Sequence, residues 1–192
     1  LTRAEIAQLD TAVVRFELNG RQVEAPANRT LIEIADAEGV PIPRLCYKPG
    51  LRPDGNCRSC MVEIKGERVL APSCCRAPAA GMEVTSNSER AVRSQKMVVE
   101  LLASDVPERV YKLDSELDTW KRKLGIGKPR FPAREQPAAD LSHPAMAVNL
   151  DACIQCNRCQ RACREEQVND VIGMAFRGSH AQVVFDLADP MG

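Results

Sequence analysis

Asp151-Ala152-Cys153-Ile154-Gln155-Cys156-Asn157-Arg158-Cys159-Gln160-Arg161-Ala162-Cys163-Arg164 carries four cysteines spaced C-x2-C-x2-C-x3-C. The short x2 intervals let one tight loop bring three thiolates around one face of a polynuclear group, and the x3 step sets Cys159 and Cys163 one helical turn apart. This is the cysteine run of cubane iron–sulfur sites, whose fourth cysteine serves the other cluster where two are present. The run therefore assigns Cys153, Cys156 and Cys159 to one [4Fe-4S] cluster and Cys163 to a second. A zinc ribbon would need two separated C-x2-C pairs about 15–20 residues apart, which three chained cysteines do not supply.

A second constellation lies upstream. Cys46, Cys57, Cys60 and Cys74 read C-x10-C-x2-C-x13-C. Gly50, Pro53 and Gly55 keep the loop between the first two irregular, so that backbone N–H groups can turn toward sulfur and tune a cluster's potential. The set is read as a [2Fe-2S] site. Its first gap of ten residues departs from the plant-type C-x4-C-x2-C spacing. Cys74 and Cys75 are adjacent, and spacing admits either as the fourth ligand. Cys74 is taken here, which leaves Cys75 a free thiol packed as a small hydrophobe. Arg58, Arg158, Arg161 and Arg164 lie beside the cysteines and are expected, as cations, to raise cluster potentials by stabilising the reduced state.

The elements around the upstream set predict a small mixed sheet. Val14, Phe16 and Leu18 alternate with Arg15 and Glu17 as a strand, Asn19-Gly20 signals a type I′ hairpin turn, and Arg21–Ala25 returns. Thr30 and Glu33 have the capping-box spacing for a helix that buries Leu31, Ile34 and Ala35 and ends at Gly39. Met61–Ile64 alternates as a strand, Lys65-Gly66-Glu67 turns, Arg68-Val69-Leu70 returns, and Met82-Glu83-Val84 is a last short strand. The fold class is α+β: a β-grasp [2Fe-2S] ferredoxin domain at 11–86, a helical and Pro-rich linker at 87–147, and the first part of a bacterial-type [4Fe-4S] ferredoxin domain at 148–192. In the linker, Ser88 caps a helix to about Ala103 with Ala91, Gln95, Val98, Val99, Leu101 and Leu102 inward, and Ser115–Leu124 forms a second helix. Residues 125–147, with four prolines, read as an extended surface segment. After the cysteine run a short helix continues to Gln167, and Val171–Phe176 pairs with Ala181–Asp186 as a hairpin.

Composition narrows the function. Twenty-six basic residues balance 26 acidic ones, so no global charge argues for nucleic acid, and Lys121-Arg122-Lys123 reads as a solvated face. No apolar run approaches the roughly 20 residues of a membrane helix, and no signal-peptide pattern opens the chain. Nine cysteines, mostly in metal-like clusters, point to a reducing, cytoplasmic setting. No nucleophile–base pair or carboxylate dyad stands out. His143 and His180 read as surface or packing residues, so no catalytic residue is assigned.

The paired cysteine sets, in this order, resemble the N-terminal region of the large iron–sulfur subunit of complex I, the diaphorase small subunit of NAD-reducing hydrogenases and the α subunit of NAD-dependent formate dehydrogenases. The segment from Ser142 to Gly173 and the tail Phe185–Gly192 are most similar to the formate dehydrogenase α subunit. Lys96–Leu124 contains no cysteine or histidine, so the His-and-three-Cys cubane site of many relatives is not expected. The resemblance implies an electron-relaying segment. In that family formate is oxidised at a molybdenum or tungsten bis-pterin guanine dinucleotide centre, and iron–sulfur clusters lead to a partner carrying FMN that reduces NAD+. Implied partners are the remainder of the catalytic alpha polypeptide, a flavin/NAD-binding beta subunit and a small [2Fe-2S] gamma subunit. Four cysteines for the binuclear site and three for the first cubane leave only Cys75 and Cys163 of the nine. The resemblance implies a second C-x2-C-x2-C-x3-C run just past Gly192, so these residues are expected either to be one part of a longer polypeptide or to hold incomplete sites. A zinc-binding adaptor is the competing reading from a different class.

Overall fold

A computed structural model describes residues 12–106, 115–185 and 189. Residues 1–11, where the ferredoxin domain is expected to begin, lie outside the described residues, as does most of the tail after Phe185. Two compact units form. One comprises the chain up to Arg44 together with Pro53–Val98, the other Leu45–Arg52 together with the chain from Val99 onward.

The first unit is a five-stranded mixed sheet in the order β2-β1-β5-β3-β4, with β1 Val13–Leu18, β2 Arg21–Pro26, β3 Met61–Ile64, β4 Ala71–Pro72 and β5 Glu83–Thr85. β1 pairs antiparallel with β2 and parallel with β5, so the first and last strands lie side by side between two hairpins, the order a β-grasp requires. Both turn residues of the first hairpin have positive φ, 51° at Asn19 and 81° at Gly20, as a type I′ turn demands. The Asn19 side chain accepts the Ser86 N–H at 2.8 Å, which ties this turn to the end of β5.

Helix α1, Leu31–Ala37, begins as the capping box anticipates: the Thr30 N–H donates to the Glu33 carboxylate at 2.8 Å. Gly39, at φ 67°, takes the left-handed position just past the helix end. Leu31, Ile34 and Ala35 are buried as expected, and Ile32, missed by the sequence pattern, is fully buried as well. With Phe16, Leu18, Val62, Ile64 and Val84 these side chains form the core. The return strand after Lys65-Gly66 comes later than expected. Ala71–Pro72 forms β4, opposite Met61 and Val62, while Val69 is exposed. Strand propensity favours Val69, but the ladder stops where the turn leaves the sheet edge.

Helix α2 spans Glu89–Ser104, and Ser88 Oγ accepts the Ala91 N–H at 3.2 Å. Its buried stripe is Ala91, Gln95, Val99 and Ala103, at i,i+4 intervals. Leu101, expected inward, is exposed, because it lies off that row. Gln95 is buried and donates through Nε2 to the carbonyls of Met61 at 2.9 Å and Ser86 at 3.0 Å. Gln95→Leu leaves both carbonyls short of a donor in the core. It is expected to lower the unfolding free energy by about 1–3 kcal/mol, read from urea denaturation.

In the second unit, α3 (Glu116–Lys123) is capped by Ser115, whose Oγ accepts the Asp118 N–H at 3.3 Å. Residues 125–147 run without helix or strand, as expected. They are nonetheless anchored: the Arg130 guanidinium donates to Glu100 at 2.8 and 2.7 Å, and Arg134 donates to the Ala181 carbonyl at 2.7 Å. An antiparallel bridge between Asp140 and Val148 leads into the cysteine run. There α4, Arg158–Arg161, passes into a π-helical turn at Ala162–Glu166 in place of the ordinary helix expected. β6 (Ile172–Ala175) and β7 (Gln182–Phe185) then form the anticipated hairpin.

Candidate iron–sulfur sites

Each C-x2-C step holds one residue in the left-handed region. These are Arg58 (φ 59°) between Cys57 and Cys60, Gln155 (54°) between Cys153 and Cys156, and Asn157 (58°) between Cys156 and Cys159. None is glycine, and holding a side chain there costs roughly 1 kcal/mol or more. A left-handed residue turns successive N–H groups toward one point, the geometry of an anion-binding nest. In the second run that effect is visible, since the Gln155 N–H points at Cys153 Sγ, 3.4 Å away. Spacing alone does not reveal this strain, and Asn157 is the only one of the three whose type favours it.

In the first unit Cys60 and Cys74 are buried and Cys57 is half-buried. Ser73 joins their segments: its N–H and its hydroxyl both donate to the Cys60 carbonyl, at 3.1 and 2.8 Å. Cys74 follows in a turn closed by the Cys75 N–H on the Pro72 carbonyl at 3.0 Å. That turn is held by the start of α1, where the N–H groups of Leu31 and Ile32 donate to the carbonyls of Arg76 (2.8 Å) and Ser73 (3.1 Å). Orphan donors of the helix terminus thus fix the cysteine turn. Cys57 Sγ lies 3.0 Å from Ser59 Oγ. Cys75 is exposed, with its sulfur 3.5 Å from Cys74 Sγ. Cys46 belongs to the 45–52 segment of the second unit and is buried.

Gly55 makes room for the adjacent thiol. It has φ 62°, and a Cβ there would stand 3.0 Å from Cys75 Sγ. Gly55→Ala is expected to cost about 1–2 kcal/mol in thermal or urea unfolding. The double variant Gly55→Ala/Cys75→Ala should recover the steric share and leave the left-handed share.

In the second unit Cys153 and Cys156 are half-buried, Cys159 is exposed on one side and Cys163 is buried in the π-helical turn. Burial is the largest influence on Cys159 and pushes its thiol above the ordinary value, with Cys156 and Cys153 adding to the rise. Cys153, Cys156 and Cys159 share one short loop of the chain. Crowded thiols resist ionising unless a cationic group shares them, and thiolate is the form that binds iron. The donor set therefore fits a thiolate-held cluster. Among the described residues no three His, Cys, Asp or Glu side chains converge as a single ion requires. His143 Nδ1 accepts the Ala145 N–H at 3.0 Å, and His180 lines an open cleft of about 570 Å3 with Arg134, Gln136 and Phe176.

Residues 11–89 match the family of 2Fe-2S iron–sulfur cluster binding domains. They belong to it. This ferredoxin-type domain stands in a chain whose relatives are oxidoreductase subunits. The chain is 30% identical over 89% of its length to an NADH-quinone oxidoreductase chain of Rhizobium meliloti, covering 21% of that protein. It is 30% identical over 90% of its length to the NADP-reducing hydrogenase subunit HndD of Solidesulfovibrio fructosivorans (31% of that protein). It is 24% identical over 95% of its length to the putative formate dehydrogenase YrhE of Bacillus subtilis (19% of that protein). The chain thus spans under a third of these relatives. A crystal structure of NAD+-reducing [NiFe]-hydrogenase in the H2-reduced state superposes with a TM-score of 0.83 at 26% identity, over 94% of this chain and 80% of the other. What the chain is similar to, over the part of those proteins that it spans, is a 2Fe-2S cluster binding domain and the chains of NADH-quinone oxidoreductase, hydrogenase and putative formate dehydrogenase that contain it. Among the described residues no helix is long and apolar enough to cross a membrane.

Proposed function

We propose that this chain is the electron-relaying segment of an NAD-dependent formate dehydrogenase, with Cys46, Cys57, Cys60 and Cys74 holding a [2Fe-2S] cluster. Cys153, Cys156 and Cys159 hold one [4Fe-4S] cluster, and Cys163 contributes to a second. The clusters supply one-electron storage; the chain supplies thiolates, left-handed loops that aim N–H groups at sulfur, and burial that limits reorganisation. Burial of Cys74 beside an exposed Cys75 supports Cys74 as the fourth binuclear ligand. Formate is favoured as the electron source by one observation: the 29 residues from Lys96 to Leu124 hold no cysteine or histidine for the additional cubane that many relatives carry there. On this reading the Mo or W bis-pterin centre lies in the remainder of the alpha polypeptide, and FMN and NAD sit on a beta subunit. A small [2Fe-2S] gamma subunit and a cytoplasmic setting complete the proposal.

The similarity to the hydrogenase structure supports a second reading, an iron–sulfur subunit of an NAD-reducing hydrogenase. The test is anaerobic purification of the protein with its partners, followed by formate- and H2-driven reduction of NAD+. Formate-driven reduction, with one binuclear and at least two cubane paramagnetic signals, is expected. H2-driven reduction alone selects the second reading, and zinc without iron or acid-labile sulfide overturns both.

A further inference from the structure

Two arginines of the cysteine run reach back to the segment that carries Cys46. Arg161, between Cys159 and Cys163, is buried, and its guanidinium donates from one terminal nitrogen to the Cys46 carbonyl and from the other to the Arg52 carbonyl. One planar fork thus closes the excursion from Cys46 to Arg52, which turns inside itself through the Leu51 N–H on the Lys48 carbonyl at 3.1 Å. Arg158, between Cys156 and Cys159, donates to the next carbonyl, Tyr47, at 2.7 Å, while its other terminal nitrogen pairs with Glu116. Arg52 in turn meets Glu165 of the π-helical turn at 3.4 Å. Two consecutive peptide carbonyls, those of Cys46 and Tyr47, are therefore both fixed by the cubane run. Both follow the Cys46 Cα directly in the chain, on the backbone that sets where Cys46 Sγ points.

Burying a guanidinium on neutral carbonyls is costly unless the geometry is well satisfied. Arg164, by contrast, pairs with Asp170 at an exposed site. That leaves Arg158 and Arg161 as the arginines of the run whose charge is committed to this segment.

We propose that Arg161, seconded by Arg158, is a positioning residue for the binuclear site: it holds Cys46 in place from within the cubane run, so that retention of the [2Fe-2S] cluster depends on that run. This rests on the ferredoxin-type reading of Cys46. The role belongs to the fork and not to the charge, because lysine offers a point donor that cannot span two carbonyls.

The test compares Arg161→Lys, Arg161→Gln and Arg158→Gln in the anaerobically purified protein. The rate at which an iron chelator bleaches the [2Fe-2S] signal is measured, together with that cluster's midpoint potential and the cubane signals. Each Arg161 variant is expected to lose the binuclear signal roughly tenfold faster than wild type, the factor matching loss of one charged hydrogen bond. Arg158→Gln should show a smaller acceleration. Cubane signals should persist in all three. Wild-type bleaching in Arg161→Gln overturns the proposal. Wild-type bleaching in Arg161→Lys beside fast bleaching in Arg161→Gln overturns the fork in favour of charge. Parallel loss of both cluster types in every variant overturns it too, since that marks general unfolding. Absence of a binuclear signal in the wild type instead sinks the ferredoxin-type reading itself.

Discussion

Cys74→Ala is expected to reduce the binuclear paramagnetic signal per chain by more than about tenfold, whereas Cys75→Ala should leave it near the wild-type level. Even a hydrogen bond that merely supports a ligand is worth about 10–100-fold in metal affinity, and a thiolate ligand is worth more. The two sulfurs are 3.5 Å apart, so proximity alone does not choose between them. Their settings do. Cys74 is fully buried in a turn whose neighbours on both sides, Ser73 and Arg76, accept the first N–H groups of α1. Cys75 is exposed, and its sulfur packs where Gly55 lacks a Cβ. Electron paramagnetic resonance of the dithionite-reduced variants, normalised to protein, decides the matter. A signal kept in Cys74→Ala and lost in Cys75→Ala would reverse the assignment. A signal kept at altered g-values in Cys74→Ala would mean that Cys75 swings in as a substitute.

Features set by neighbours in sequence were legible. The Thr30–Glu33 capping box and the Asn19-Gly20 turn need only local chemistry, and both stand where the residue types put them. The edge strand was not legible. Arg68-Val69-Leu70 has the better β propensity, yet Ala71–Pro72 pairs, since the partner Met61–Val62 and the turn length decide the register. On α2 the pattern placed Ala91, Gln95 and Val99 inward, where they are buried, but it also placed Leu101 there, which is exposed. A buried glutamine with two carbonyl acceptors outweighs a leucine off the row.

For the site, the cysteine types and intervals were readable, and the strain around them was not. Arg58 and Gln155 carry no preference for positive φ, so the loops that hold them there are over-determined by their surroundings. The arginines illustrate the same gap. Residue type alone reads Arg58, Arg158, Arg161 and Arg164 as cations that raise cluster potentials. The structure commits the terminal nitrogens of Arg158 and Arg161 to backbone carbonyls and Glu116, contacts more than 40 residues away in the chain that no local pattern encodes.

Ile32→Ala is expected to destabilise the ferredoxin-type domain by about 2–5 kcal/mol, because truncating a fully buried branched side chain removes its transfer energy and leaves a cavity. Ile32 has no exposed surface, and its own N–H is one of the two that hold the Cys74 turn. The backbone bond survives the substitution, but α1 is only seven residues long and draws its stability from packing rather than propensity. Loosening its buried face therefore frees the carbonyls of Ser73 and Arg76 more often. Two readouts should move together: a lower urea midpoint and faster chelator bleaching of the binuclear cluster. Leu101→Ala, at an exposed position on α2, is the control and should change the unfolding free energy by less than about 0.5 kcal/mol. If Ile32→Ala lowers the midpoint and bleaching stays at the wild-type rate, the start of α1 is not what holds the cysteine turn, and Ser73 on the Cys60 carbonyl must hold it alone.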